Sequence, residues 1–337
     1  MQRNYWPTSE WLQASDPATL RKDAEKLAAL DPIIKSEYSN INGIVVVRNG
    51  YMVYESYYNG YGPEDTHHVA SVTKSVISAL VGIAIDAGYI RNVDQKVLDF
   101  FPEYAHGAAD KQKQEVSIRH LLTMTAPYSF EDWQEPLDKM CMQPDWVKYT
   151  LDLLGQQCSI GTFKYSTAGA HLLSAILTRS TGKSAREFAN ERLFKPIGMK
   201  EIPDYEMKSF GFEDLFGENV KGWVADPDGN STGGWGLTLS PRDMARFGLL
   251  YLNGGIWDEH EVVSGAWTRE STAMNPNKYG YLWWLRQEDG VSAYLAMGDG
   301  GNVICCIPEK DLVVAIASEF MMNPRDRWPL INYLIGK

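Results

Sequence analysis

The feature that most limits what this chain can fold into is the placement of its β-rich runs, which lie at the two ends and leave the middle to helices. Residues 44–48 and 51–58 meet across Asn49-Gly50, a pair that accepts the positive φ angles of a tight hairpin turn. Four more β-rich runs, at 281–286, 293–297, 303–307 and 312–317, close the sequence. The last two are separated by a turn at Pro308-Glu309-Lys310-Asp311. Between the ends, 118–124, 145–154, 168–180, 185–193 and 241–252 have helical character. Ser240 before Pro241 supplies an N-cap and a first-turn proline. Strands and helices do not alternate, so a parallel doubly wound sheet is disfavoured. The pattern predicts an α+β fold: one antiparallel sheet assembled from both ends, flanked by helices, with an inserted helical lobe.

At 337 residues the chain is long for one compact core. We expect residues 1–98 and 235–337 to form the sheet lobe and 99–234 the mainly helical lobe, packed as one catalytic unit. The stretch around 203–234, rich in Gly, Asp and Pro, reads as a long excursion over the surface. A net charge of −11 and a pI near 5.1 argue against nucleic acid or anionic membrane as a main partner. No apolar run reaches the roughly 18 residues of a membrane span. The first residues, MQRNYWPTSEW, have no apolar leader core, so a cytoplasmic location is expected for the chain as given. The cysteines Cys141, Cys158, Cys305 and Cys306 read as free thiols, and neither they nor the histidines have metal-site spacing. No cofactor or metal is expected.

Residues 72–87 are apolar on nearly every face, which predicts a buried helix. Ser71 opens it, and Lys74 follows one turn later on the same face. A serine at a helix N-terminus, where unpaired N–H groups favour negative charge, with a lysine in reach of its Oγ suits a nucleophile and its base. The same S-x-x-K spacing recurs at Ser180 and Lys183, but with glycine inside the motif at a helix end, which reads as a turn. A further proton acceptor is best sought at Tyr165, where a Gly-Thr turn leads into a helix beginning near Thr167. A third element is the glycine-rich junction Met297-Gly298-Asp299-Gly300-Gly301-Asn302, where a strand backbone can approach a ligand closely. Tyr128, Trp133 and Trp235 are candidate walls of an acyl pocket, and His67 and His68 read as structural polar contacts. Gly229–Gly233 matches G-x-S-x-G, but no strand-to-helix elbow surrounds Ser231.

Together SVTKS, IRHLLTMT, the YST after IGT, TGKSAREFANERLFKPIGM, GGWGLTLSPRDMARFGLLYLNGG and GDGGN resemble the superfamily of class C β-lactamases and D-alanyl-D-alanine carboxypeptidases, its esterase and amide-hydrolase branches in particular. The resemblance implies a β-lactamase/transpeptidase-like fold and acyl transfer through an acyl-enzyme on a small ester or amide. It implies Ser71 as nucleophile, Lys74 and Tyr165 sharing its proton, and an oxyanion hole of the backbone N–H groups of Ser71 and Asn302. Thr167, Asp299, Gly300 and Gly301 then fall in the substrate-binding region. Two departures stand out. Thr167 replaces the asparagine of penicillin-binding members, and Asp299 stands where a lysine or histidine is usual. An aspartate there repels a substrate carboxylate, so an esterase or amidase is expected rather than an efficient β-lactamase. The alternatives are a true β-lactamase or D-alanyl peptidase, and a non-catalytic peptide-binding or scaffold relative.

Overall fold

The computed structural model describes residues 3, 5–12, 24–105, 111–130, 134–155, 159–217, 219–288 and 290–335. The elements that place the site are, in chain order, α1 (Ala24–Glu37), β1 (Ile41–Arg48), β2 (Tyr51–Tyr57), α2 (Val72–Asp86), α3 (Trp146–Leu153), α4 (Thr167–Thr181), α5 (Pro241–Leu252), β3 (Trp284–Glu288), β4 (Val291–Gly298), β5 (Asn302–Ile307), β6 (Leu312–Ser318) and α6 (Trp328–Ile335). The strands form one six-stranded sheet in the order β2-β1-β6-β5-β4-β3, and all five pairings are antiparallel. The pairing of β1 with β6 puts Val45 opposite Ala315 and joins the two ends of the sequence. The expected sheet is therefore present.

Alternating side chains give the sheet two apolar faces, as the two-residue period of a strand requires. Val45, Val47, Ala296, Ile304, Cys306, Val313 and Ala315 face a large core that includes α2, α4 and α5. Ile44, Val46, Leu295, Val303, Cys305 and Val314 face the other way, against α1 and α6. These two helices lie outside the segments foreseen from sequence. Cys141, Cys305 and Cys306 are buried free thiols, and Cys158 lies outside the described residues. Among the described residues, no helix is long and apolar enough to cross a membrane.

One expectation fails in an informative way. The first part of the 203–234 stretch is largely exposed, but much of its second part runs through the interior: Trp223, Val224, Asp226, Asn230, Ser231 and Thr232 are buried. Buried loops are costly unless their backbone polar groups find partners, and here they do. Trp223 Nε1 donates to Thr232 O at 2.8 Å, Ser174 Oγ donates to Ser231 O at 2.5 Å, and Thr232 N donates to Val224 O at 2.8 Å.

Candidate active site

Helix α2 is buried from Val72 to Ala84, as a helix apolar on all sides must be. Ser71 is its half-buried N-cap residue, and its Oγ makes no capping bond. The residue before it, Ala70, is held at a φ of 48°, the left-handed region that costs an L-residue roughly 1 kcal/mol or more. Thr73 Oγ1 donates to Ala70 O at 2.7 Å and Val69 N to Leu237 O at 3.0 Å, pinning this turn from both sides. The end of β4 presses on it as well. A methyl group on Gly298 would stand 2.3 Å from Val69 O and 3.0 Å from Ser71 N, so only glycine allows this approach.

Lys74, on the same helix face as Ser71, is 1% exposed. Its Nζ donates to Ser71 Oγ at 2.9 Å, to Thr167 Oγ1 at 3.1 Å and to Gly234 O at 2.9 Å. It also stands 4.8 Å from the centroid of the Tyr165 ring, within cation–π range. That ring is stacked on Trp284 at 5.7 Å and meets Tyr279 edge-on at 6.2 Å. Burial pushes the Tyr279 hydroxyl well above its ordinary pKa. Ser71, Lys74, Tyr165 and Thr167 are thus brought together by the starts of two helices, α2 and α4, and the loop before α4.

The start of α4 has a partner that sequence reasoning missed. The Glu135 carboxylate accepts from Ser166 Oγ at 2.8 Å, Thr167 N at 2.7 Å and Ala168 N at 2.7 Å. A carboxylate placed there satisfies orphan N–H groups and opposes the positive end of the helix dipole. No motif marks Glu135; only the folded chain brings it to residues 166–168. Gly234 was missed likewise, although the paired glycines before Trp235 were a usable sign of close packing.

Two cavities flank Ser71. One, of about 370 Å³, is lined by Glu135, Leu137, Tyr165, Thr167, Trp284, Met297, Gly298 and Asp299. The other, of about 170 Å³, has an aromatic wall of Tyr61, Phe212, Phe216, Trp235 and Phe320, with His67, His68, Lys221, Asn302 and Glu319 around it. Asp299 is exposed and lines both. His67 and His68 form a short ladder with Thr238–Leu239, and burial lowers each imidazole pKa to about 4.

Two expectations need correction. Tyr128 is 1% exposed and stacked on Phe130 at 5.2 Å. Its hydroxyl faces Gly169 beneath α4 rather than a pocket beside Ser71. Gly300 and Gly301 serve the hairpin's outer side: their carbonyls accept from Arg327 at 3.1 and 3.2 Å, and a side chain on either would strike Glu319 or Arg327. Ser180 and Lys183 stand at the far end of α4 on either side of the left-handed Gly182 that closes it, in keeping with the turn read there, and Lys183 is paired with Glu191. Trp235 does line the smaller cavity, whereas Trp133 lies outside the described residues. Asn302 is at that cavity too, its side-chain amide donating to Asp299 O at 2.8 Å and accepting from Ser318 N at 2.9 Å. Among the described residues, no cluster of metal-ligating side chains occurs.

The profile of the family described as Beta-lactamase matches residues 36–329. The chain belongs to the β-lactamase family. Within it, the chain is 26% identical over 350 aligned positions to a 6-aminohexanoate-dimer hydrolase of Paenarthrobacter ureafaciens, covering 93% of this chain and 82% of that one. Among solved structures it is similar to the D-amino acid amidase of Ochrobactrum anthropi SV3, with a TM-score of 0.65 at 16% identity over 92% of this chain and 98% of the other. It is also similar to EstCE1, described as a hydrolase with promiscuous acyltransferase activity, with a TM-score of 0.70 at 17% identity over 95% and 100%. These structural likenesses establish the β-lactamase/transpeptidase-like fold. The proteins it resembles are named as hydrolases and an amidase, which makes an enzyme of the hydrolase class the coarse reading for this chain.

Proposed function

We propose that this protein is a serine hydrolase that cleaves ester or amide bonds of small substrates through an acyl-enzyme on Ser71. The observation that carries the reading is the buried Lys74 Nζ, 2.9 Å from Ser71 Oγ. In the proposed cycle, Ser71 Oγ attacks the substrate carbonyl and its proton passes to the Lys74–Tyr165 pair. The oxyanion is met by backbone N–H groups of Ser71 and Asn302, at the helix start and the β4–β5 hairpin. Collapse of the tetrahedral adduct breaks the bond to the alcohol or amine, which leaves with the proton. Water then attacks the acyl-enzyme with the same groups as base, and Ser71 recovers its proton as the acid is released.

The charges around Ser71 support a preference among substrates. Glu135 and Asp299 both line the larger cavity, so a substrate carboxylate entering there meets two like charges. Neutral or amine-bearing esters and amides are the better fit, and carboxylate-bearing β-lactams the poorer. The relatives named as a 6-aminohexanoate-dimer hydrolase, a D-amino acid amidase and a hydrolase with promiscuous acyltransferase activity support hydrolysis of small acyl compounds, while the charge preference rests on Glu135 and Asp299 alone.

The test is fluorophosphonate labelling of the wild type, Ser71→Ala and Lys74→Ala, followed by a panel of p-nitrophenyl esters, D-amino-acid amides, linear amides and nitrocefin. The wild type should label and Ser71→Ala should not, while Lys74→Ala should label and turn over at least about 100-fold more slowly. A folded wild type that does not label removes the reading. Nitrocefin turnover equal to that of the esters removes the substrate preference.

A further inference from the structure

The carbonyl that receives Lys74 belongs to Gly234, one of two adjacent glycines whose backbones have wide conformational freedom. What aims it is therefore a question about the surrounding loop. Both glycines press on the first turns of α4: a methyl on Gly233 would lie 2.0 Å from Ala170 O, and one on Gly234 2.4 Å from Thr167 Cγ2. Three side chains of α4, at positions i, i+4 and i+7 and hence on one helix face, meet Lys74 and the loop in succession. Thr167 touches Lys74, His171 touches Gly233, and Ser174 binds Ser231 O.

The middle contact is the unusual one. Gly233 N donates to His171 Nδ1 at 3.4 Å, so the ring proton lies on Nε2, which donates to Asp226 Oδ2 at 3.0 Å. Both side chains are wholly shielded from solvent. Asp226 also accepts from Asn230 N at 2.8 Å, Asn230 Nδ2 at 2.9 Å and Asp228 N at 3.0 Å. Burial raises the pKa of this carboxyl, but the hydrogen bonds from His171 and Asn230 outweigh it and hold the group below the usual aspartate range. The Trp146 ring meets His171 edge-on at 5.7 Å. In such surroundings an apolar pair of equal volume is commonly as stabilising as a buried ionic or polar one. What the pair adds is direction: each hydrogen bond fixes a donor or acceptor of the 226–234 loop.

We propose that His171 and Asp226 form a positioning dyad that sets the Gly233–Gly234 backbone, and with it the carbonyl that holds Lys74 on Ser71. The proposal rests on the reading of Lys74 as the proton partner of Ser71. Neither residue of the dyad touches the reacting atoms. His171 carries the loop position to the lysine, and Asp226 holds His171 in the tautomer that leaves Nδ1 open to Gly233.

The experiment compares His171→Asn with His171→Gln in the full chain. Asparagine keeps an acceptor near the place of Nδ1, and glutamine keeps a donor near the place of Nε2 but offers Gly233 nothing. His171→Gln should lower kcat on a p-nitrophenyl ester by about 30-fold or more with KM within about threefold, since a small misplacement of a catalytic group costs on this scale. Fluorophosphonate labelling should slow in parallel, and His171→Asn should recover most of kcat. Leu177→Ala, a core change further along α4, should lower the thermal midpoint without changing kcat of the folded protein. Losses in both His171 variants that simply follow their thermal midpoints, or full kcat in His171→Gln, would overturn the proposal. A readout independent of turnover separates it from the hydrolase reading. The ¹⁵Nζ resonance of Lys74, assigned with Lys74→Arg, should move in His171→Gln and stay in His171→Asn. If the wild type fails to label at Ser71 but the resonance moves in this way, the hydrolase reading falls and the positioning stands. An unmoved resonance in His171→Gln sinks the positioning itself.

Discussion

At Gly298 a single hydrogen atom in place of a methyl group decides how near β4 comes to Ser71. Alanine there must displace Val69 O or the turn at Ala70, an overpacking cost of about 1–3 kcal/mol. Because the turn sets the direction of Ser71, activity should suffer more than stability. Gly298→Ala is expected to lower kcat by about 100-fold while still unfolding cooperatively in urea, which paired kinetics and urea titrations check. His67 and His68 give a second prediction. Their folded pKa values near 4 lie below the ordinary imidazole value of 6.5, so between these limits the unfolded chain binds more protons than the folded one. Their contribution is fully present above pH 6.5 and is lost as pH falls toward 4. The urea midpoint should fall across that window, and replacing both with glutamine should flatten the slope. Reading residues in isolation had mixed success. Ser71 and Lys74 were visible because their spacing is local to one helix. Tyr128 was misplaced because an aromatic beside a motif says nothing about which way its ring turns. Glu135 and His171 carry no local signal, since their partners lie 31–33 and 62 positions away, and Asp226 shows only its turn with Asn230 while His171 lies 55 positions away.

At the scale of elements, α4 presents the most chemistry. Its start places Tyr165 and Thr167 against Lys74, and its next turns hold the buried loop. Glu135 caps that start with both carboxylate oxygens. In Glu135→Gln one oxygen becomes an NH₂ that faces backbone donors, so we expect a loss of about 1–2 kcal/mol and a fall in kcat larger than any change in KM. Urea titration and steady-state kinetics on one ester measure both. The helices and strands themselves were largely legible. The 72–87 run, the Ser240-Pro241 start and the Asn49-Gly50 hairpin each follow from local rules, and each is present, the first hairpin strand beginning three residues earlier than expected. The interior course of residues 230–235 was not legible, because glycine and aspartate mark both exposed turns and close-packed backbone. Only the His171, Ser174 and Trp223 partners distinguish the two cases.

At the scale of the whole molecule, the sheet is completed by strands from opposite ends of the sequence. β1 and β2 contribute two strands and the last hundred residues contribute four. The residues of the proposed site divide in the same way: Ser71, Lys74, Tyr165 and the positioning residue His171 precede residue 205, whereas Asp226, Gly234 and Asp299 follow it. Residues 208–213 between these sets are exposed. A chain cut there yields one piece with two of the six strands, and another with four strands but neither Ser71 nor Lys74. Each piece should be silent in an esterase assay, and fusing them to a pair of associating proteins should restore turnover. Split in this way, the sheet would act as a logical AND gate, giving a signal only when its two pieces meet.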